Sequence, residues 1–244
     1  MKIRFFKMAV LTAAAVLLAA SCNKDNEELM FLSTATFKRT GENSFYFKES
    51  DTTAFIPTNL PVDFLKSVTE KRTVIWFTSD RKPVEHGIEG YKYSYLIDVQ
   101  AIDTVYTKNP VVSKGSSLAD DKEYGSDYVG LYLKSGGMFP YTSIDDGYLC
   151  IRFVFESLPY TGVTHYFNLV TGVNPDDPYE VELHHDACGQ SFGDSTDGYM
   201  AFPLKSLPPT NGETKKVTLV WKSGVTMQKE RFSFDYCSRT DWPE

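Results

Sequence analysis

Apolar and polar residues alternate along most of this chain, and that period of two constrains the fold more than any other feature. The segment 91–107 shows it best. Its first face carries Tyr91, Tyr93, Tyr95, Ile97, Val99 and Ala101, and its second carries Lys92, Ser94, Asp98 and Gln100. Successive residues of a strand point to opposite faces, so this segment is predicted to be a strand with one buried face. A helical period is limited to one short turn, predicted at 61–68. The sequence therefore predicts an all-β protein.

The strands of the first half predict a small barrel. Residues 34–39 and 44–49 are joined by Gly41, Glu42 and Asn43, which is typical of a hairpin, and a further strand is predicted at 72–79. The strand at 91–107 is too long to stay in one small flat sheet, so it must coil or bulge, as strands do in closed or partly open barrels. We predict the first domain at 34–107.

The second half predicts a sandwich of short strands. Residues 108–126 lose the alternation and gather Pro, Gly, Ser and charged residues, so we predict a linker there and a second domain at 127–244. About seven short strands in about 120 residues are typical of an immunoglobulin-like β-sandwich. The predicted strands are 127–134, 147–156, 163–172, 179–186, 198–204, 216–222 and 229–236.

The first residues predict export and a lipid anchor. Lys2, Arg4 and Lys7 precede an uncharged apolar run that is too short to span a bilayer, so residues 1–21 are predicted to be a signal peptide. The small residues directly before Cys22 resemble a bacterial lipobox, after which the cysteine is acylated, although Ala19 stands where leucine is preferred. The alternative is ordinary secretory cleavage near Ser21. Several acyl chains on Cys22 would hold the mature protein on a membrane.

Residues 22–33 are predicted to be an acidic tether. Asp25, Glu27 and Glu28 follow Cys22 in a polar spacer, which either is merely solvated or resembles the signal that sends lipoproteins of Bacteroidetes to the cell surface. The whole chain has a formal charge of -7, and loss of the three basic residues of the signal peptide makes it more negative. A nucleic-acid partner is therefore disfavoured, since the barrel half has aromatic residues but no basic excess.

Several ordered segments resemble the NigD-like lipoproteins of Bacteroidetes. In the second half these are residues 145–156 (DDGYLCIRFVFE), 162–172 (GVTHYFNLVTG), 179–189 (YEVELHHDACG) and 198–204 (GYMAFPL). The signal sequence, FIPTNLP (55–61) and YKYSYLIDVQAIDTV extend the resemblance over residues 1–236. It implies an N-terminal barrel of oligonucleotide-binding-like (OB-like) fold, a C-terminal β-sandwich and an outer-membrane location. It carries over no catalytic residue.

Few residues suggest a catalytic or metal-binding role. His165, His184, His185, Asp186 and Cys188 have the side chains of a zinc site but not its spacing, because His184 and His185 point to opposite faces of a strand. The pairs Asp120–Asp121, Asp176–Asp177 and Asp194–Asp197 lack the spacing of a calcium loop. Glu156 and Glu182 are the carboxylates that a glycosidase could use.

After the predicted acylation of Cys22, three cysteines remain: Cys150, Cys188 and Cys237. At most one intramolecular disulfide can form among them. We predict no metal and no cofactor.

The sequence thus favours a non-enzymatic binding or assembly component at the cell envelope, with a protein or a glycan as partner. Trp76, Tyr128, Tyr132 and Trp221 could present flat faces to a sugar, although exposed tyrosine is common on strands for its β propensity alone. The alternative from another class is a hydrolase or metal-dependent enzyme that acts on an envelope or dietary polymer.

Overall fold

The N-terminal half of this computed structural model is a closed five-stranded barrel. The structure describes residues 29–133, 140–158, 160–190 and 192–242, so the predicted signal peptide and Cys22 lie outside the described residues. The strands are paired in the order β1-β2-β3-β5-β4, and β4 returns to β1. They are β1 (Met30–Gly41), β2 (Ser44–Lys48), β3 (Thr53–Pro57), β4 (Glu70–Thr78) and β5 (Tyr93–Thr104). β3 and β5 are parallel and the other neighbours are antiparallel. The predicted OB-like barrel is confirmed.

The barrel is filled by alternating residues of its strands. Its buried core consists of Ala35, Phe37, Phe47, Phe55, Ile75, Phe77, Ile97 and Val99. The predicted hairpin is present, with Gly41 opposite Ser44, and a bulge between Trp76 and Phe77 lets β4 follow β5 around the barrel. The predicted helical turn at 61–68 is instead a series of tight turns, because Leu65 has a φ of 49° and interrupts any helix there.

The second half is a sandwich of two sheets. One sheet has the order β6-β13-β10-β8, with β9 paired to β10, and the other has the order β15-β14-β12-β11-β7. Its short strands are β6 (Tyr106–Thr107), β7 (Val111–Val112), β8 (Gly130–Leu131) and β9 (Ser143–Asp145). Its longer strands are β10 (Tyr148–Ser157), β11 (Tyr166–Thr171), β12 (Glu180–Asp186), β13 (Asp194–Pro203), β14 (Lys215–Lys222) and β15 (Lys229–Tyr236). The predicted sandwich is confirmed.

One apolar core lies between these two sheets. Alternate residues of the long strands supply it, among them Leu149, Ile151, Phe153, Phe167, Leu169, Val181, Leu183, Phe202, Leu219 and Trp221. Since the side chains of a strand alternate, the residues between these core positions point away from the core on the outer face of their sheet. That alternation places Arg152, Asp197 and Glu182 on the outer faces of their sheets.

Residues 108–126 are not the linker between two domains that their composition predicts. β7 pairs with β11, and a helix, α1 (Ser117–Tyr124), follows it. Asp120 is buried, where it accepts hydrogen bonds from the Ser113 hydroxyl and the Lys114 backbone N–H, both at 2.6 Å. Gly125 ends the helix with a φ of 90°, where a Cβ would lie 2.5 Å from the Cα of Asp186. The segment therefore belongs to the sandwich.

Within the described ranges, the structure contains no helix that is both long and apolar enough to cross a membrane.

Candidate functional site

An exposed tyrosine, an arginine and an aspartate lie together on the outer face of the first sandwich sheet. Arg152 of β10 points away from Leu149, Ile151 and the rest of the core, as its place in the alternation predicts. Its guanidinium donates to Asp197 of β13 at 2.6 Å and lies over the ring of Tyr132 at 4.2 Å from the centroid. We call Tyr132, Arg152 and Asp197 the outer-face cluster.

Tyr132 belongs to the segment that enters this sheet through β8. Val129 is buried, and Leu131 and Leu133 pack on the sandwich core, so Tyr128 and Tyr132 point away from it. Both rings are accessible, with Tyr128 44% and Tyr132 38% exposed. They lie four residues apart on this segment, in which Gly130–Leu131 is strand and Val129 pairs with Ser223 beside the other sheet. Two of the four predicted stacking residues therefore lie on one accessible segment.

The two tryptophans do not fit that prediction. Trp221 is 2% exposed and lies in the sandwich core, because it occurs at an inward position of β14. Trp76 is half-buried and packs against the apolar contact between barrel and sandwich. The prediction from sequence counted flat rings but could not tell which face of its strand each ring occupies. Trp221 cannot stack on a ligand, and the Trp76 ring is engaged within the protein.

The barrel and the sandwich meet in a contact that is apolar at its centre. Val74 and Val105 from the barrel side pack with Tyr148, Cys150 and Ala201 of the sandwich. Arg72 of β4 is fully buried beside them, and it donates to Thr36 Oγ1 at 2.7 Å and to Cys150 Sγ at 3.6 Å. Burial raises the pKa of the Cys150 thiol, and this outweighs the opposite effect of Arg72. Cys150 is therefore a neutral packing residue and not a nucleophile.

Ion pairs surround this contact. Arg239, from the segment after β15, donates to both carboxylate oxygens of Glu70 in the barrel, at 2.7 and 2.5 Å. Asp146 is buried between Lys48 of the barrel, at 2.6 Å, and Arg239, at 3.3 Å. Hydrogen bonds from Lys38 and Arg239 lower the pKa of Asp241 although burial opposes them. A polar cavity of about 320 Å³ opens beside these groups, and their charges are already paired within the protein.

The histidines that have the side chains of a zinc site form a hydrogen-bonded pair and one separate ring. His165 Nδ1 lies 2.9 Å from His185 Nε2, which is a direct hydrogen bond that leaves no room for an ion between the rings. His184 points to the opposite face, where its Nδ1 lies 2.7 Å from the carbonyl oxygen of Gly125. Over the residues that the structure describes, no group of three or more His, Cys, Asp or Glu side chains could hold a metal ion.

The carboxylates considered for hydrolysis or calcium lie apart. Glu156 is on the outer face of the first sheet and Glu182 on the outer face of the second, so the sandwich core separates them. Glu182 pairs with Lys229 at 2.5 Å. Asp120 accepts a hydrogen bond from Ser113, and Asp197 accepts one from Arg152. The pair Glu156–Glu182 therefore cannot act on one glycosidic bond, which needs both carboxylates in one cleft.

The three cysteines after the predicted anchor are all free thiols. Cys150 is buried at the contact between the domains, while Cys188 and Cys237 are exposed. Burial and nearby acids raise the pKa of Cys188, which disfavours its thiolate.

A family model described as the NigD-like C-terminal beta sandwich domain matches residues 110–236. The chain belongs to the NigD-like family. The matched residues run from just before β7 to the end of β15. They include the segment 110–126 that composition alone had suggested was a linker.

Solved structures share the fold of this NigD-like chain along most of its length. A protein described as toxin-related, from Parabacteroides distasonis, is 27% identical with a TM-score of 0.63, and the match covers 86% of this chain and 94% of that one. A protein described as a lipoprotein, from Bacteroides fragilis, is 14% identical with a TM-score of 0.56, covering 87% and 100%. A NigD-like immunity protein from Bacteroides caccae is 14% identical with a TM-score of 0.52, covering 87% and 99%. No curated protein matches the chain. None of these descriptions names an enzyme.

Sequence reasoning missed the partners that make Tyr132 part of a site. Arg152 interrupts an otherwise apolar strand, which is a signal that the sequence contains, whereas Asp197 stands out in the sequence only as a candidate calcium ligand. Their pairing depends on the register of β10 and β13, where Val154 is opposite Asp197 and Arg152 is opposite Tyr199. A sequence of alternating strands does not contain that register.

Proposed function

We propose that this NigD-like protein is a lipid-anchored, non-catalytic component of the outer membrane that binds glycan through the outer-face cluster. The observation that carries the proposal is the arrangement of Tyr132, whose accessible ring is backed by the Arg152 guanidinium at 4.2 Å. Asp197 in turn forms an ion pair with Arg152 at 2.6 Å, which holds the guanidinium in place. A ring held in this way loses little freedom when a ligand stacks on it.

The chemistry of the cluster suits a sugar. A pyranose ring presents a flat face of C–H groups for an aromatic side chain and hydroxyl groups at its edge. Beside the Tyr132 ring, the ion pair of Arg152 and Asp197 places polar groups where the hydroxyls of a stacked sugar would lie. Tyr128 is a second exposed tyrosine on the same segment, four residues away. We therefore infer a neutral or weakly charged glycan chain.

A lipid anchor at Cys22 would hold such a surface at the envelope. Cys22 follows a basic start, an apolar run and small residues, and the similar Bacteroides fragilis protein is described as a lipoprotein. The tether predicted at 22–33 is shorter than expected, because β1 begins at Met30. The residues between Cys22 and β1 would link the folded part to the membrane and leave the sandwich accessible. The acidic residues of the tether favour the outer leaflet in this proposal.

Binding to immobilised polysaccharides, including peptidoglycan, lipopolysaccharide and plant cell-wall glycans, tests the proposal. Loss of one ring face, about 50 Å² of apolar contact, corresponds to about 1.3 kcal/mol, so we expect Y132A to weaken binding about tenfold. The matched control is Y166A, because Tyr166 is also an exposed tyrosine but lies on the outer face of the other sheet.

We expect Y166A to bind as the unchanged protein does. Binding to none of the polysaccharides, or equal losses for Y132A and Y166A, would refute a glycan site at the cluster. Hydrolysis of a bound polysaccharide by the unchanged protein would support the enzyme alternative instead.

A further inference from the structure

Three loops of the sandwich contain no Asp, Glu, Lys or Arg, although such residues make up 23% of the chain. They are 158–165 (LPYTGVTH) between β10 and β11, 187–193 (ACGQSFG) between β12 and β13, and 223–228 (SGVTMQ) between β14 and β15. We call them the uncharged loops.

The strand directions bring the uncharged loops to one end of the sandwich. β10 is antiparallel to β13, β11 is antiparallel to β12, and β14 is parallel to β12 and antiparallel to β15. β10, β12 and β14 therefore end where β11, β13 and β15 begin. The first two loops also contact each other, since Gln190 Nε2 donates to Thr161 Oγ1 at 3.0 Å.

Each uncharged loop exposes at least one large apolar side chain. These side chains are Tyr160, Phe192, Val225 and Met227, and each is more than half exposed. The loops at the opposite end, 172–179 and 204–214, are described in full and expose no large apolar side chain. They contain instead the charged residues Asp176, Asp177, Lys205 and Glu213. Exposed apolar side chains gathered on one charge-free end indicate an interaction surface.

The start of β1 points to this same end of the molecule. Lys38, near the end of β1, pairs at 2.8 Å with Asp241, which follows the end of β15 at the opposite end of the sandwich. Thr34 lies nearer the start of β1, and its hydroxyl oxygen is 3.3 Å from that of Tyr199 in the middle of β13. β1 therefore runs along the sandwich, and its first residue, the exposed Met30, lies toward the end where β13 begins.

The predicted lipid anchor is attached close to this end. Seven peptide units separate Cys22 from Leu29, so even an extended chain spans at most about 25 Å between them. Acylation of Cys22 would therefore hold the start of β1 within that distance of the bilayer. The uncharged loops lie at this end, whereas the opposite end of the sandwich is separated from it by the ten residues of β10.

We propose that the uncharged loops dock on the lipid bilayer that carries the anchor, with their four exposed apolar side chains inserted at the level of the headgroups. Aromatic and aliphatic side chains are favoured at that level, and loops without charged residues bring no charge out of water. The docking rests on the lipid anchor of the proposed function but not on its glycan site. A protein partner is the other occupant that such a surface could have, and the test below separates the two.

The contact should depend on apolar insertion and not on charge. The formal charge of the chain is -7, so anionic lipid offers it no attraction. We therefore expect binding to zwitterionic phosphatidylcholine vesicles that is not strengthened by added phosphatidylglycerol and changes little with salt. Binding that requires phosphatidylglycerol and disappears in salt would contradict insertion of the uncharged loops.

Quenching by brominated lipid tests the docking in the acylated protein. In vesicles of phosphatidylcholine with brominated acyl chains, F192W should be quenched more strongly than the unsubstituted protein. The matched control is V112W, because Val112 is exposed but lies beside Thr171, at the opposite end of the sandwich. V112W should show no added quenching. Equal quenching of F192W and V112W in protein that floats with the vesicles would overturn the docking and favour a protein partner.

The unacylated C22A protein tests the loops without the anchor. Because the loops bind far more weakly than several acyl chains, we expect C22A to float with phosphatidylcholine vesicles only at about millimolar lipid. F192S should lower this partition at least about tenfold, whereas V112S should leave it unchanged. Equal partition of the two variants, or none at millimolar lipid, would refute the docking. Failure of the wild-type chain to carry lipid would refute the anchor alone and leave the C22A result standing.

Discussion

Replacement of Arg239 by methionine should destabilise the whole protein, because this buried side chain joins the end of the sandwich to Glu70 of the barrel. The Arg239 side chain is 4% exposed and its main partner, Glu70, is 7% exposed. Methionine keeps most of the length of the side chain and removes its charge and donors. The carboxylate of Glu70 then keeps one partner, the hydroxyl of Tyr148 at 2.6 Å.

The expected loss can be estimated from the groups left behind. Removal of one partner of a buried ion pair typically costs about 3 to 5 kcal/mol, because the other charge remains buried. Asp146 keeps Lys48 at 2.6 Å and Glu70 keeps Tyr148, so we expect the lower end, about 3 kcal/mol. For a protein of this size that corresponds to about 6 to 12 °C in Tm.

Urea unfolding followed by tryptophan fluorescence and circular dichroism measures this loss. A double-mutant cycle provides the control, since E70Q leaves an acceptor for Tyr148 but no charge to be stranded. The loss in R239M/E70Q should therefore be clearly smaller than the sum of the two single losses. A change within about 0.5 kcal/mol in R239M, which is the range of ordinary surface substitutions, would refute the reasoning. Strict additivity of the two substitutions would refute it too.

Two further predictions concern the predicted lipid anchor and residues 108–126. We expect C22A to abolish incorporation of labelled palmitate and to release the protein from the membrane fraction, and lipid that persists in C22A would show that another residue is acylated. We expect limited proteolysis to spare residues 108–126, because β7 pairs with β11 and Asp120 is buried in the bonds that hold α1. Early cleavage within this segment, identified by mass spectrometry, would indicate a linker instead.

The prediction for 108–126 shows where sequence patterns stop being informative. Val111 and Val112 form only a two-residue strand, and α1 is a single short polar helix, so neither produces a visible period. Their structure depends on contacts with residues far along the chain, such as the pairing of Val111 with Val170. The Pro, Gly and Ser residues that suggested a linker instead serve turns and a helix cap, as Ser116 does for α1.

At the candidate site, too, the sequence predicts the position of some residues and not of others. Alternation correctly places Tyr132 and Arg152 outside the core, because the face of a residue is a local property of its strand. It did not place Trp221 or Trp76, because the inward and outward faces of their strands depend on which sheet covers them.

The sequence by itself determined the all-β class, most of the strands and the expectation of a lipid anchor, since each of these is expressed in neighbouring residues. Only the tertiary structure decided that Arg239 meets Glu70, that Arg152 meets Asp197 and that His165 meets His185. Those contacts join residues that are 169, 45 and 20 positions apart. They are set by strand register and by the docking of the barrel on the sandwich, which arise when apolar faces are buried together and not from local propensity.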